Sequence, residues 1–153
     1  MIPVMKTLLV SIDFSPISQK VVDKAAELAA GLEAKIILFN VREPVAAYVP
    51  VGAAMDVITA PIPVEPPDLE LVREQLEKFA KPLRERSLSV ESLVTEGLPA
   101  EEILRKGRET SASMMVLGSH GHGAVYHLFS GSVVTAVLHQ SEIPVTEIGR
   151  AHV

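Results

Sequence analysis

Between an apolar run and a helix-like one, residues 118–133 read GSHGHGAVYHLFSGSV, with four glycines and three histidines. Gly118, Gly121 and Gly131 have two and nine residues between them, and Ser132 follows directly. Glycine leaves the backbone bare, so its N–H can approach a ligand closely, and a helix opening at Gly131 turns its positive end outward. A phosphate is the ligand that these properties suit. Turns or close helix–sheet packing would use the same glycines, and that reading stays open here. The second position with chemistry is Asp13, in SIDFSP at 11–16. Its carboxylate repels phosphate but accepts hydrogen bonds from a ribose hydroxyl or an adenine amino group. The alternative for Asp13 is a turn residue that caps the first helix through its neighbours.

Neither familiar phosphate motif is present. No G-x-x-x-x-G-K-[ST] occurs, and the first βα turn lacks the G-x-G-x-x-G of a dinucleotide fold. Without cysteine the chain has no thiolate nucleophile, no Cys-ligated zinc and no disulfide. His120, His122 and His127 offer an alternative reading as transition-metal ligands, with no nearby carboxylate or cysteine to complete the set. His139 and His152 read as solvated surface residues. Phosphoryl transfer needs a base or water-positioning acid, and a cation to stabilise moving charge. Residues 119–130 contain no Asp, Glu, Lys or Arg. Binding is therefore expected in preference to turnover, and no catalytic residue is assigned.

These residues need elements that bring them to one edge. Short β-branched runs at 7–13, 35–41, 89–94, 114–118 and 143–148 alternate with segments of helical period. Val21, Ala25, Leu28, Ala29 and Leu32 make one stripe of a first helix, with Ser15 and Pro16 as its expected N-cap and first residue. Leu69, Val72, Leu76, Phe79 and Leu83 mark a second helix. PAEEIL at 99–104 opens a third with Glu101 and Glu102 in its first turn, and a fourth starts near Gly131 with Val133, Val134, Val137 and Leu138. This order predicts an α/β fold: a doubly wound, open, parallel five-stranded sheet, Rossmann-like, in a single domain over 1–153. Its ligands are expected at the carboxyl ends of the strands. A composition 48% hydrophobic but 4% aromatic, without Trp, requires an aliphatic core, which suits a sheet buried on both faces.

Six of the eleven prolines fall within 42–67. Residues 42–66 therefore read as an insertion whose prolines prevent a regular element. Its use is left between a surface loop and a lid or partner-binding flap around Tyr48. A net charge of −5 gives no reason to seek a nucleic-acid backbone or an anionic membrane. No apolar run suits a signal sequence or a membrane span, so a soluble, cytoplasmic protein is expected.

Together, G-x2-G-x9-G-S at Gly118, Gly121, Gly131 and Ser132, the SIDFS after the first strand, the IPV opening the last strand and the element order resemble the universal stress protein family, in its ATP-binding branch. The resemblance covers the chain outside 42–66. It implies that Asp13 holds ribose or adenine, that the main chain of Val41 meets the adenine edge, and that the glycines and Ser132 take the phosphates. On the residues alone, Val41 is equally a buried strand residue. His122, with Tyr126 and His127, stands where relatives often carry basic residues, and it is included among the expected nucleotide contacts. ATP would bring Mg²⁺ or Mn²⁺ held mainly by its phosphates. The family further implies a homodimer through the last strand. The expected function is that of an ATP-binding regulatory or stress-response protein. The alternatives are a slow ATPase or adenylate-handling hydrolase, and a dimeric interaction protein with an empty pocket.

Overall fold

The computed structural model describes residues 5–44, 47–51, 58–62, 68–119 and 131–149. Five parallel strands form the sheet: β1 (Lys6–Ser11), β2 (Ala34–Arg42), β5 (Val90–Glu96), β6 (Met114–Gly118) and β7 (Val145–Ile148), in the order β5-β2-β1-β6-β7. The helices are α1 (Ser18–Leu32), α2 (Leu69–Glu85), α3 (Pro99–Glu109) and α4 (Gly131–Gln140). The expected doubly wound architecture is present.

Alternation along the strands explains why both faces need cover. Leu8, Val10 and Ile12 of β1 and its following turn, with Ile36 and Leu38 of β2, pack under α1 and α2 through Val21, Ala25, Leu76 and Ala80. The intervening residues Leu9, Ile37, Phe39 and Val41 meet Ile103 of α3 and Val137 of α4 on the other face. Central strands are apolar on both sides, as a parallel sheet requires.

Several local expectations change. Leu69 and Leu138 carry the helical period but are 39% and 47% exposed, because each lies at the margin of its helix's contact stripe. Helix α1 begins at Ser18, after Ile17, and not at Pro16. The cause is a turn: the Ser18 N–H donates to the Ser15 carbonyl at 2.9 Å, so Ser15 and Pro16 are spent on entering the helix. The 42–66 segment also contains regular structure. β2 runs on to Arg42, and β3 (Ala47–Val51) pairs antiparallel with β4 (Ile58–Ile62). Pro50 and Pro61 fit because each strand of a two-stranded ladder is an edge, where a missing N–H directed away from the partner breaks no bond.

Helix α2 is fixed to its strand from the surface. Arg84 pairs with Glu77 and donates from Nε to the Val90 carbonyl at 3.0 Å. The Arg84 hydrogen bond holds the Glu77 carboxyl below its ordinary pKa. No helix among the described residues is long and apolar enough to cross a membrane.

Candidate functional site

From β1 the chain crosses to β2 on one side, and from β6 it crosses to β7 on the other. The two crossovers diverge above the β1–β6 boundary and leave a crevice at the carboxyl ends of those strands. The turn after β1 forms one wall, and the end of β6 at Gly118 and Ser119 forms the other.

Asp13 stands in the first wall. One carboxylate oxygen, Oδ1, accepts from the Ser15 N–H at 3.0 Å and from Ser18 Oγ at 3.4 Å. The turn role considered for Asp13 is therefore real, though α1 itself begins after Ile17 with no side-chain cap, and these bonds fix the carboxylate at the crevice. Phe14, next in sequence, adopts a left-handed backbone with φ 62°, and its ring meets that of Phe79 with 6.2 Å between centroids. A bulky residue in that conformation needs support. The ring contact, and the hydrogen bonds around Asp13, supply it.

Val41 is 2% exposed near the end of β2, one residue before Arg42, whose carbonyl accepts from the Gly97 N–H at 3.0 Å. Its side chain belongs to the core, so only its main chain is available for recognition. Between it and the β1 turn sits Asn40, 1% exposed, with Nδ2 donating to the Ile12 carbonyl at 2.8 Å. The Ile12 N–H in turn donates to the Phe39 carbonyl at 3.0 Å. Strand β2 thus anchors the turn that carries Asp13. Sequence reasoning missed Asn40; its only signal was a lone amide in the otherwise apolar IILFNV.

In the second wall, Gly118 ends β6 against α1. A Cβ there would stand 2.8 Å from Val21 Cγ2 and 3.2 Å from Ile17 Cγ2. The bareness of this glycine serves helix–sheet packing, the alternative left open by its spacing. The Ser119 N–H then donates to the Ile148 carbonyl at 2.9 Å, which ties the exit of β6 to the end of β7. Gly131 and the exposed Ser132 are the first two residues of α4, at the helix end that favours anions. Gly121 and His122, together with His120 and His127, lie outside the described residues. Among the described residues, no three His, Asp or Glu side chains gather as for a metal.

The fold and the crevice define a class: a doubly wound α/β domain of five parallel strands with one topological switch point. Residues 5–148 match the universal stress protein family, and the chain belongs to it. Over 147 residues it is 32% identical to the universal stress protein YxiE of Bacillus subtilis, covering 90% of this chain and 95% of that one. The solved structure of MJ0577 from Methanocaldococcus jannaschii superimposes with a TM-score of 0.70 at 20% identity, covering 97% of this chain and 98% of that one. A universal stress protein solved in complex with cAMP gives 0.64 at 21% identity, covering 94% of this chain and 95% of the other. The Archaeoglobus fulgidus protein in complex with dAMP gives 0.65 at 18%, covering 94% and 97% respectively. At such identities the likeness of the solved structures is one of fold.

Proposed function

We propose that this protein binds an adenine nucleotide, ATP foremost, in the crevice between β1 and β6, as a regulatory or stress-response protein with little or no turnover. The observation that carries the reading is the pairing of two features across one switch point: a carboxylate held by the turn after β1, and the positive end of α4 after β6. Asp13 receives ribose or adenine donors, and the Val41 main chain meets the adenine edge. Gly118, Gly121, His122, Gly131 and Ser132 follow the phosphates. The adenine nucleotides in the two solved complexes with cAMP and dAMP agree in ligand class, and the G-x2-G-x9-G-S spacing supports a reading in the ATP-binding branch. Mg²⁺ or Mn²⁺ would be held through phosphate oxygens and water. The whole chain acts as one nucleotide-binding domain with 42–66 as an insertion, and two copies pair through β7, an edge strand whose one partner among the described strands is β6.

The test is mass spectrometry of small molecules released from freshly purified, denatured protein, followed by calorimetry with ATP. Gly131→Ala should weaken ATP by about tenfold, because a Cβ intrudes where backbone approaches phosphate. Absence of any released or added adenine nucleotide would leave the dimeric interaction protein, and steady release of ADP would establish the hydrolase.

A further inference from the structure

We propose that Lys20 is the cation of the nucleotide site, neutralising the outer phosphates of a bound adenine di- or triphosphate from the side of α1. The inference rests on the reading above and assigns the charge which that reading leaves missing. Residues 119–130, between β6 and α4 in sequence, contain no Lys or Arg. Even with a divalent ion on its phosphates, ATP keeps a net negative charge, and a helix end alone opposes only part of it in a protein whose own net charge is −5.

Lys20 is placed to supply it. Ile17, the N-cap of α1, and Val21, in its first turns, close directly over Gly118, and Lys20 lies between them in sequence on the first turn of the helix. Its ammonium reaches across to the Gly149 carbonyl at 2.5 Å. Gly149 in turn adjoins Ser119, whose Oγ is 3.6 Å from the position a Cβ on Gly149 would take. The ammonium is thereby held at the carboxyl edge of β6 and β7, beside the point where the chain leaves Gly118. One carbonyl uses one of its three donors, and two remain for a ligand.

The position is also costly on local grounds. Lys20 is in the first turn of α1, where the macrodipole opposes a cation, and no acidic residue shares that turn. Violations of a local rule concentrate at functional sites. An anion lying between the N-terminal ends of α1 and α4 would turn this unfavourable placement into a favourable one. The chemistry needed is a phosphate beyond the first, since adenosine and ribose lie towards Asp13 and Val41 at the β1–β2 side.

Calorimetry with ATP and with adenosine, on the parent, Lys20→Gln and Lys20→Arg, tests this at fixed free Mg²⁺. Lys20→Gln should weaken ATP by about tenfold, the order expected for one charge-assisted hydrogen bond. Adenosine affinity should be unchanged, and Lys20→Arg should retain most of the ATP affinity. Thermal melts of the free proteins report separately on the Gly149 contact. Equal weakening of ATP and adenosine would make Lys20 a structural tie and overturn the assignment, as would unchanged ATP affinity in Lys20→Gln. A parent that binds neither ligand would overturn the nucleotide reading itself, and the Lys20 assignment with it.

Discussion

Substituting Gly118 by Ala separates packing from ligand approach. The new Cβ would stand 2.8 Å from Val21 Cγ2, closer than real Cβ contacts come, and 3.2 Å from Ile17 Cγ2. Val21 is 1% exposed and β-branched, with one preferred χ1 on a helix, so it has no rotamer into which to retreat. Helix α1 must lift by a few tenths of an ångström from β6. Overpacking of this kind costs about 1–3 kcal/mol. In a domain near 150 residues each kcal/mol moves Tm by about 2–4 °C, so a fall of roughly 2–12 °C is expected. Gly31 is the internal control, since it lies in α1 with nothing within 4 Å of an added Cβ. Gly31→Ala should stabilise by about 0.4–1 kcal/mol through the unfolded chain, raising Tm by roughly 1–4 °C. Scanning calorimetry without nucleotide measures both, and combining Gly118→Ala with Val21→Ala should show a coupling of at least about 0.5 kcal/mol. A Gly118→Ala protein melting at or above the parent would refute the packing account and return this glycine wholly to the ligand.

Asn40→Ala should cost about 1–3 kcal/mol in urea unfolding, because the Ile12 carbonyl loses a buried donor; a loss under about 0.5 kcal/mol would deny the latch. The lowered Glu77 pKa means that its pairing with Arg84 is complete above the unfolded value near 4.5 and is lost as pH falls through the folded value. With these side chains 43% and 40% exposed, the effect is about 0.2–1 kcal/mol. Glu77→Gln should therefore lose less stability than the parent between pH 6 and pH 3, and identical losses would remove the pair from the account. Light scattering at micromolar concentration should give twice the chain mass of 16.5 kDa, and the monomer mass would exclude pairing through β7.

The five strands and four helices were legible because burial on two faces and burial on one stripe leave different periods in the sequence. The carboxyl-edge placement of Asp13, Val41, Gly118 and Ser132 followed from the order of those elements. What periodicity does not carry is the partner of a bare or polar residue. Gly118 reads the same whether a phosphate or Val21 comes near, and only the docking of α1 decides. Asn40 is one amide in an apolar strand until the β1 turn is laid beside it. The Ser15–Pro16 pair has the composition of a helix start, but Asp13 and Ser18 draw it into the preceding turn. Pro50 and Pro61 argue against a central strand, and that argument does not reach a hairpin made of two edges.

The strand order also sets a schedule for the newborn chain. β1 takes β2 as its first neighbour, but its other edge, Leu8–Ser11, must wait for Met114–Leu117. About 100 residues are made in between, which at ribosomal rates takes roughly 5–20 s. Throughout that interval the future centre of the sheet is an apolar border with its hydrogen-bonding groups unpaired, open to a neighbouring nascent chain. A product released before β6 would keep that border permanently. Protection during synthesis, more than stability afterwards, should therefore govern how much of this protein reaches its folded state.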